Sequence, residues 1–146
     1  KFDKLKIIDS TAFAYDVLLP KLQVTRKVGS VVLHPVCSLT KMNLLPKLEG
    51  VAQACADKVV VPRDAGCCGF AGDRGMLNPE LTASATSQQA AQVRAHPTSA
   101  HASCNRTCEM AMTRATGSPD RHIVEIVADV AGKVSAGVRP GPAERT

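Results

Sequence analysis

The chain has 146 residues, a formal net charge of +5 and a hydrophobic content of 45%. This length suits one globular domain with its own core, and no apolar run reaches the roughly 20 residues that a membrane span needs. The basic residues are scattered, and three Phe, one Tyr and no Trp offer no stacking platform for bases. We therefore expect neither a transmembrane segment nor a nucleic-acid partner.

Apolar runs alternate with helical patterns in the first half of the chain, which predicts an α/β fold. Ser10 or Thr11 can cap a helix that extends to about Leu19. Residues 31–33 are wholly apolar, as in a strand buried on both faces. A helix over residues 45–56 follows, and its apolar positions form one stripe that should face the core.

The second half of the chain continues the same alternation. Residues 59–61 predict a second buried strand, and Asn78 followed by Pro79 is a strong helix start with a capping side chain. The remaining predicted elements are a helix over 79–95, a weaker strand over 98–103, a short helix over 104–115 and a last amphipathic helix that starts at 118–120. Together these elements predict a small parallel sheet flanked by helices.

The chain ends give an expectation about domain organisation. The sequence does not begin with Met, so we interpret it as a fragment of a larger protein. Residues 1–135 are predicted to form a single cysteine-rich domain, and residues 136–146, rich in Gly and Pro, a flexible tail. Cysteines without a secretion signal predict a reducing, cytoplasmic environment.

The cysteines carry the clearest chemical signal. Cys67 and Cys68 are adjacent in a glycine-rich turn after a predicted strand, while Cys37 and Cys108 follow two other strands. Because parallel strands end at the same edge of a sheet, these four thiols should converge there. Sulfur coordination of this kind suits an iron–sulfur cluster or zinc, and the spacing alone does not separate the two.

Residues around the doublet are expected to help hold a cofactor. Gly66, Gly69 and Gly72 let the backbone bend tightly and approach a bulky ligand, which favours a cluster. His34 could ligate metal or donate a hydrogen bond to a cluster sulfur, or could be a satisfied polar residue at a strand end. Cys55 lies on a core-facing helical stripe and is interpreted as inert, whereas a ligand role for Cys104 stays open.

At these residues the chain resembles a known family, the cysteine-rich "CCG" domain of heterodisulfide reductases and of the iron–sulfur subunit of glycolate oxidase. The resemblance is greatest to the C-terminal region of FAD-linked D-lactate dehydrogenases. It rests on the following stretches: His34-Pro35-Val36-Cys37, Cys67-Cys68-Gly69-Phe70-Ala71-Gly72-Asp73-Arg74-Gly75, Pro79-Glu80-Leu81 and Asn105-Arg106-Thr107-Cys108-Glu109.

The resemblance implies that Cys37, Cys67, Cys68 and Cys108 hold an iron–sulfur cluster of the 4Fe-4S type. It implies an electron-transfer domain of a flavin-dependent D-2-hydroxyacid dehydrogenase, with FAD in the missing part of the parent protein. The partners would be the flavin domain and a quinone or cytochrome acceptor. The fragment alone would have no catalytic residues, and the parent could lie peripherally on the inner membrane.

Two alternatives from other classes stay open at this point. A structural zinc module would bind one colourless ion and unfold on chelation without redox change. A thiol-based redox enzyme would use Cys67 or Cys68 as a nucleophile of lowered pKa.

Overall fold

The computed structural model describes residues 2–132. Within them, four parallel strands form one sheet in the order β2-β1-β3-β4, flanked by helices. The α/β fold with a parallel sheet, expected from the alternating pattern, is confirmed. The elements are α1 (Ser10–Phe13), β1 (Val28–Leu33), α2 (Cys37–Lys41), α3 (Leu45–Cys55), β2 (Ala56–Val60), α4 (Arg74–Leu77), α5 (Pro79–Ala95), β3 (Ala100–Ser103), α6 (Arg106–Thr116), β4 (Asp120–His122) and α7 (Ile123–Val130).

The two faces of the sheet differ in chemistry. Val31 and Leu33 of β1 pack into an apolar core with α3 and α7. Because side chains alternate along a strand, Val32 and His34 point to the other face, which α5 covers. The buried polar side chains outside α1 belong mostly to this second face and its helices: His34, Thr82, Thr86, Gln89, His101, Ser103, Glu109 and Asp120.

The first helical segment has a different capping residue from the predicted one and is α-helical only at its start. Asp9, rather than Ser10 or Thr11, caps α1: its side chain accepts a hydrogen bond from the backbone N–H of Thr11 at 2.8 Å. After four α-helical residues the chain continues as a π-helical turn over Ala14–Leu18 and a short 3₁₀ turn over Leu19–Lys21. The extent of the helical segment was therefore predicted well, and its capping residue was not.

One expectation about a strand and one about the start of a helix were wrong. Residues 59–61 do not form a strand buried on both faces, because β2 is an edge strand that ends at Val60, and Val61 is exposed. The last helix does not start at 118–120, because Asp120–His122 pair with β3 as the fourth strand and α7 begins only at Ile123. Three polar residues on an edge carry none of the β-branched signal that marks a strand.

Two helices of the second half, α5 and α6, lie where the sequence placed them. The long helix α5 starts at Pro79, although within the described part of the chain the Asn78 side chain makes no capping hydrogen bond. The left-handed Gly117 ends α6 with φ of 77°. The predicted tail over 136–146 lies outside the described residues. Among residues 2–132, none of the helices has the length and apolar character to cross a membrane.

Candidate metal centre

Three strand ends bring the cysteines to one edge of the sheet. β1 leads to Cys37, the first residue of α2, and β2 leads into the loop that carries Cys67 and Cys68. β3 leads to Cys108 in the first turn of α6. The predicted position at the carboxyl edge of the strands is confirmed, and it follows from the parallel topology, which places all these strand ends on the same side.

The four thiols form an inner and an outer pair. Cys68 and Cys108 are the inner pair: each is 4% exposed, and their Sγ atoms lie 3.1 Å apart. Cys37 and Cys67 are exposed and interact with each other through their side chains. The site therefore has one wall inside the protein and one open to solvent.

His34 joins the inner pair. A ring nitrogen of His34 and the Sγ atoms of Cys68 and Cys108 all lie within 4.8 Å of one another. The His34 ring is 1% exposed, and its Nδ1 lies 2.9 Å from Oε1 of Gln89. Its Nε2 has no conventional hydrogen-bond partner among residues 2–132. These three donors are close enough together to hold one metal ion.

The outer cysteines are set apart from that trio. In the described part of the chain, Cys37, Cys67 and Cys104 do not come within 4.8 Å of all three atoms of the inner group. The donors thus occupy a larger space than a single tight tetrahedron. Cys104 is half-buried between the two apolar clusters, and burial raises its pKa to about 12. Its ligand role stays an open prediction.

The inner pair behaves electrostatically as a unit. The contact with Cys108 holds the pKa of the Cys68 thiol well below its ordinary value, with a smaller contribution from the neighbouring His34 ring. The same contact, together with burial, raises the pKa of Cys108. The contact therefore favours a thiolate at Cys68 that a soft cation can coordinate.

The glycines of the loop have different structural roles. Gly69 adopts a φ of +73°, and a Cβ there would lie 2.8 Å from Cβ of Ala85 on α5. Its backbone N–H donates to Sγ of Cys67 at 3.4 Å. Gly72 has a φ of +76° with open space around it, and Gly66 has neither constraint. Gly69 is thus required by the loop itself, whereas the predicted cofactor role of all three glycines stays untested.

Outside the centre, Cys55 has the inert role that its helical position predicted. It is fully buried in the apolar core against α7, and burial raises its pKa to about 11. Among the described residues, Cys55 makes no hydrogen bond to any of the four thiols at the sheet edge.

Sequence reasoning missed two residues that shape the site. Gln89 contacts His34, and Gly75 packs beneath Phe70, where a Cβ would lie 2.8 Å from the ring. A signal for Gln89 existed in the spacing of four buried residues along α5: Thr82, Thr86, Gln89 and Val93. This stripe is mostly polar, so a search for apolar periodicity does not detect it.

The same polar face contains a buried carboxyl, Asp120, which predicts a pH-dependent stability. Burial raises its pKa from 3.8 to about 7, and the smaller effects of Ser103 and His34, which lower it, and of Glu109, which raises it, do not reverse that direction. The folded protein then binds this proton more tightly than the unfolded chain. The stabilising contribution is full below about pH 4 and is lost as the pH rises through 7.

We expect the free energy of unfolding to fall by about 2 kcal/mol from pH 5 to pH 7 through this group, since one pKa unit corresponds to about 1.4 kcal/mol. Urea unfolding of the reduced chain at both pH values measures this. Asp120→Asn keeps the backbone N–H that donates to Thr113 Oγ1 and should remove the fall. Equal pH dependence in the two proteins would contradict the expectation.

Comparison with protein-family models, with curated proteins and with solved structures finds no match for this chain.

Proposed function

We propose that this chain is an electron-transfer domain whose four cysteines hold an iron–sulfur cluster. The observation that carries the proposal is the convergence of Cys37, Cys67, Cys68 and Cys108 at one sheet edge, with the two outer thiols outside the 4.8 Å group of the inner trio. Thiolates are the usual ligands of such clusters.

The residues present fit that group. The donors are soft sulfur atoms, and Cys68 of the inner pair has the lowered pKa expected of a ligating thiolate. The Gly69 N–H that points at Cys67 is the kind of contact that tunes a cluster's reduction potential. When bound, the cluster would supply one-electron transfer, which no side chain of this protein supplies by itself.

The protein's own residues would enclose the centre on one side and leave it open on the other. Val36, Phe70 and Ala111 pack with Cys68 and Cys108 and keep water from the inner wall. Cys37 and Cys67 remain exposed, so a redox partner would approach from their side. An apolar inner wall with one exposed edge suits transfer of electrons to or from a docked protein.

The resemblance of the cysteine motifs supports a more specific role within this proposal. The parent would be an FAD-linked D-2-hydroxyacid dehydrogenase of the D-lactate type, acting in the cytoplasm or peripherally at the inner membrane. Its flavin domain would oxidise the hydroxy acid, and this domain would pass the electrons to a quinone or cytochrome. The chain alone would not oxidise D-lactate.

A structural zinc site is the second candidate, and the inner trio favours it. Tetrahedral ligands with metal–sulfur distances of about 2.3 Å lie about 3.8 Å apart. Cys68 and Cys108 are 3.1 Å apart with His34 within 4.8 Å, so the two thiols would have to separate by about 0.7 Å to reach that spacing. A thiol-based enzyme is less well supported, because Cys68, whose pKa is lowered, is 4% exposed and poorly accessible to a substrate.

Anaerobic reconstitution of the full chain with iron and sulfide tests the proposal. We expect bound iron and sulfide, a broad visible charge-transfer absorption, and bleaching of that absorption on reduction with dithionite. Iron and zinc analysis of the same sample distinguishes the candidates. Tight binding of colourless zinc with no iron uptake would favour the structural site, and absence of either metal would contradict both.

A further inference from the structure

The hydrogen bond between His34 and Gln89 determines which nitrogen of the histidine is free. Both residues are buried, at 1% and 2% exposure, and Nδ1 lies 2.9 Å from the amide oxygen Oε1. An amide oxygen only accepts hydrogen bonds, so Nδ1 must carry the proton and donate it. Neutral imidazole has one N–H, and Nε2 is therefore the nitrogen with the lone pair.

The free nitrogen has no conventional hydrogen-bond partner. Nε2 of His34 is buried and makes no hydrogen bond of ordinary geometry to any described residue, and the ring lies beside the thiols of Cys68 and Cys108. A buried polar atom without a partner destabilises the folded protein, so such atoms usually have a partner that completes the site. A metal ion held by the two thiols is a partner of the right chemistry at the right place.

We propose that His34 is itself a metal ligand through Nε2, and that Gln89 is the positioning residue that fixes its tautomer and ring orientation. This inference rests on the proposed function, in that Cys68 and Cys108 must hold the metal. Ligating histidines almost always donate their other N–H to an oxygen acceptor, and loss of that acceptor typically costs 10–100-fold in metal affinity. The centre is then a mixed nitrogen–sulfur site rather than an all-cysteine one.

The mixed donor set has a chemical consequence. Replacement of a thiolate by a neutral imidazole removes negative charge from the ligand shell and raises the reduction potential of an iron–sulfur centre. With His34, Cys68 and Cys108 as ligands, one of the two exposed thiols, Cys37 or Cys67, completes a shell of four. Gln89 thus acts on the metal centre only through His34 and is not itself a ligand.

The test uses the full chain with ¹⁵N-labelled histidine and Zn²⁺ as the probe. In the reduced, metal-free protein we expect ¹⁵N NMR to show His34 protonated on Nδ1 and unprotonated on Nε2. On addition of one equivalent of Zn²⁺, the Nε2 resonance of His34 should shift strongly while Nδ1 keeps its proton. These measurements need no variant.

Variants at position 89 separate positioning from packing. Gln89→Met keeps the volume and removes the acceptor, and we expect its Zn²⁺ affinity, from competition with a chromophoric chelator, to fall about 10–100-fold. Gln89→Glu restores an oxygen acceptor and should recover the affinity. The matched control is Thr86→Val, one turn earlier on the same buried stripe, which should bind Zn²⁺ as the unmodified chain does.

Three results would overturn the inference. Zn²⁺ bound through thiols with an unshifted His34 Nε2 would leave the cysteine centre standing and remove the histidine. A proton on Nε2 in the metal-free protein would contradict the role of Gln89. Failure of the unmodified chain to bind Zn²⁺, iron or a cluster would refute the metal centre itself, and the inference with it.

Discussion

Replacement of Cys68 by alanine is expected to abolish metal binding. Cys68 is the buried thiol whose pKa is lowered. Its Sγ lies 3.1 Å from Sγ of Cys108 and within 4.8 Å of a ring nitrogen of His34. Removal of an outer-shell partner already costs about 10–100-fold in affinity, so loss of a central ligand should exceed about 100-fold. Iron and zinc content per chain after reconstitution, with chelator competition, measures the loss.

Cys55→Ala is the matched control for this substitution. Cys55 is another buried free thiol, but it lies in the apolar core against α7 rather than at the sheet edge. We expect it to retain full metal content with a modest decrease in the free energy of unfolding. Equal metal content in Cys68→Ala and Cys55→Ala would show that the doublet does not form the centre.

The second large effect is expected at Gly69, on the loop that carries the doublet. Alanine there would hold a φ of +73° and place its Cβ 2.8 Å from Ala85 and 3.0 Å from the Leu81 carbonyl oxygen. The left-handed backbone costs about 1–2 kcal/mol, and overpacking against α5 adds about 1–3 kcal/mol. Gly69→Ala should therefore lower the free energy of unfolding by roughly 2–5 kcal/mol, as measured by urea denaturation.

Two other glycines in the same loop give a graded control. Gly72→Ala meets open space but keeps a φ of +76°, so it should cost only the backbone strain of about 1–2 kcal/mol. Gly66→Ala meets neither constraint and should change stability by less than about 0.5 kcal/mol. Equal losses of stability in all three variants would contradict the different steric and backbone roles of these glycines.

The fold was predictable where hydrophobic patterns were strong. The stripe formed by Leu48, Val51, Ala52 and Cys55 placed α3 against the core, and the apolar run in β1 marked a central strand. β4 was missed because its residues, Asp120–His122, are polar and pair only along one side. A short edge strand is specified by its neighbour rather than by its own composition, so local patterns underestimate it.

The candidate site was predictable as a location and less so as a geometry. Parallel strand ends explain why Cys37, Cys68 and Cys108 meet, and that inference needs only topology. The division into a buried and an exposed pair could not be inferred, because it depends on how α6 and the loop after β2 pack. The contact of Gln89 with His34 spans 55 residues and has no local signature.

The central claim is that sulfur atoms of the cysteines at the sheet edge, with His34, coordinate metal. Iron K-edge X-ray absorption of the anaerobically reconstituted full chain tests it most directly. We predict a first shell dominated by sulfur at about 2.3 Å, a minor nitrogen contribution that disappears in His34→Ala, and a resolved iron–iron distance. A first shell of oxygen and nitrogen without sulfur would contradict the claim.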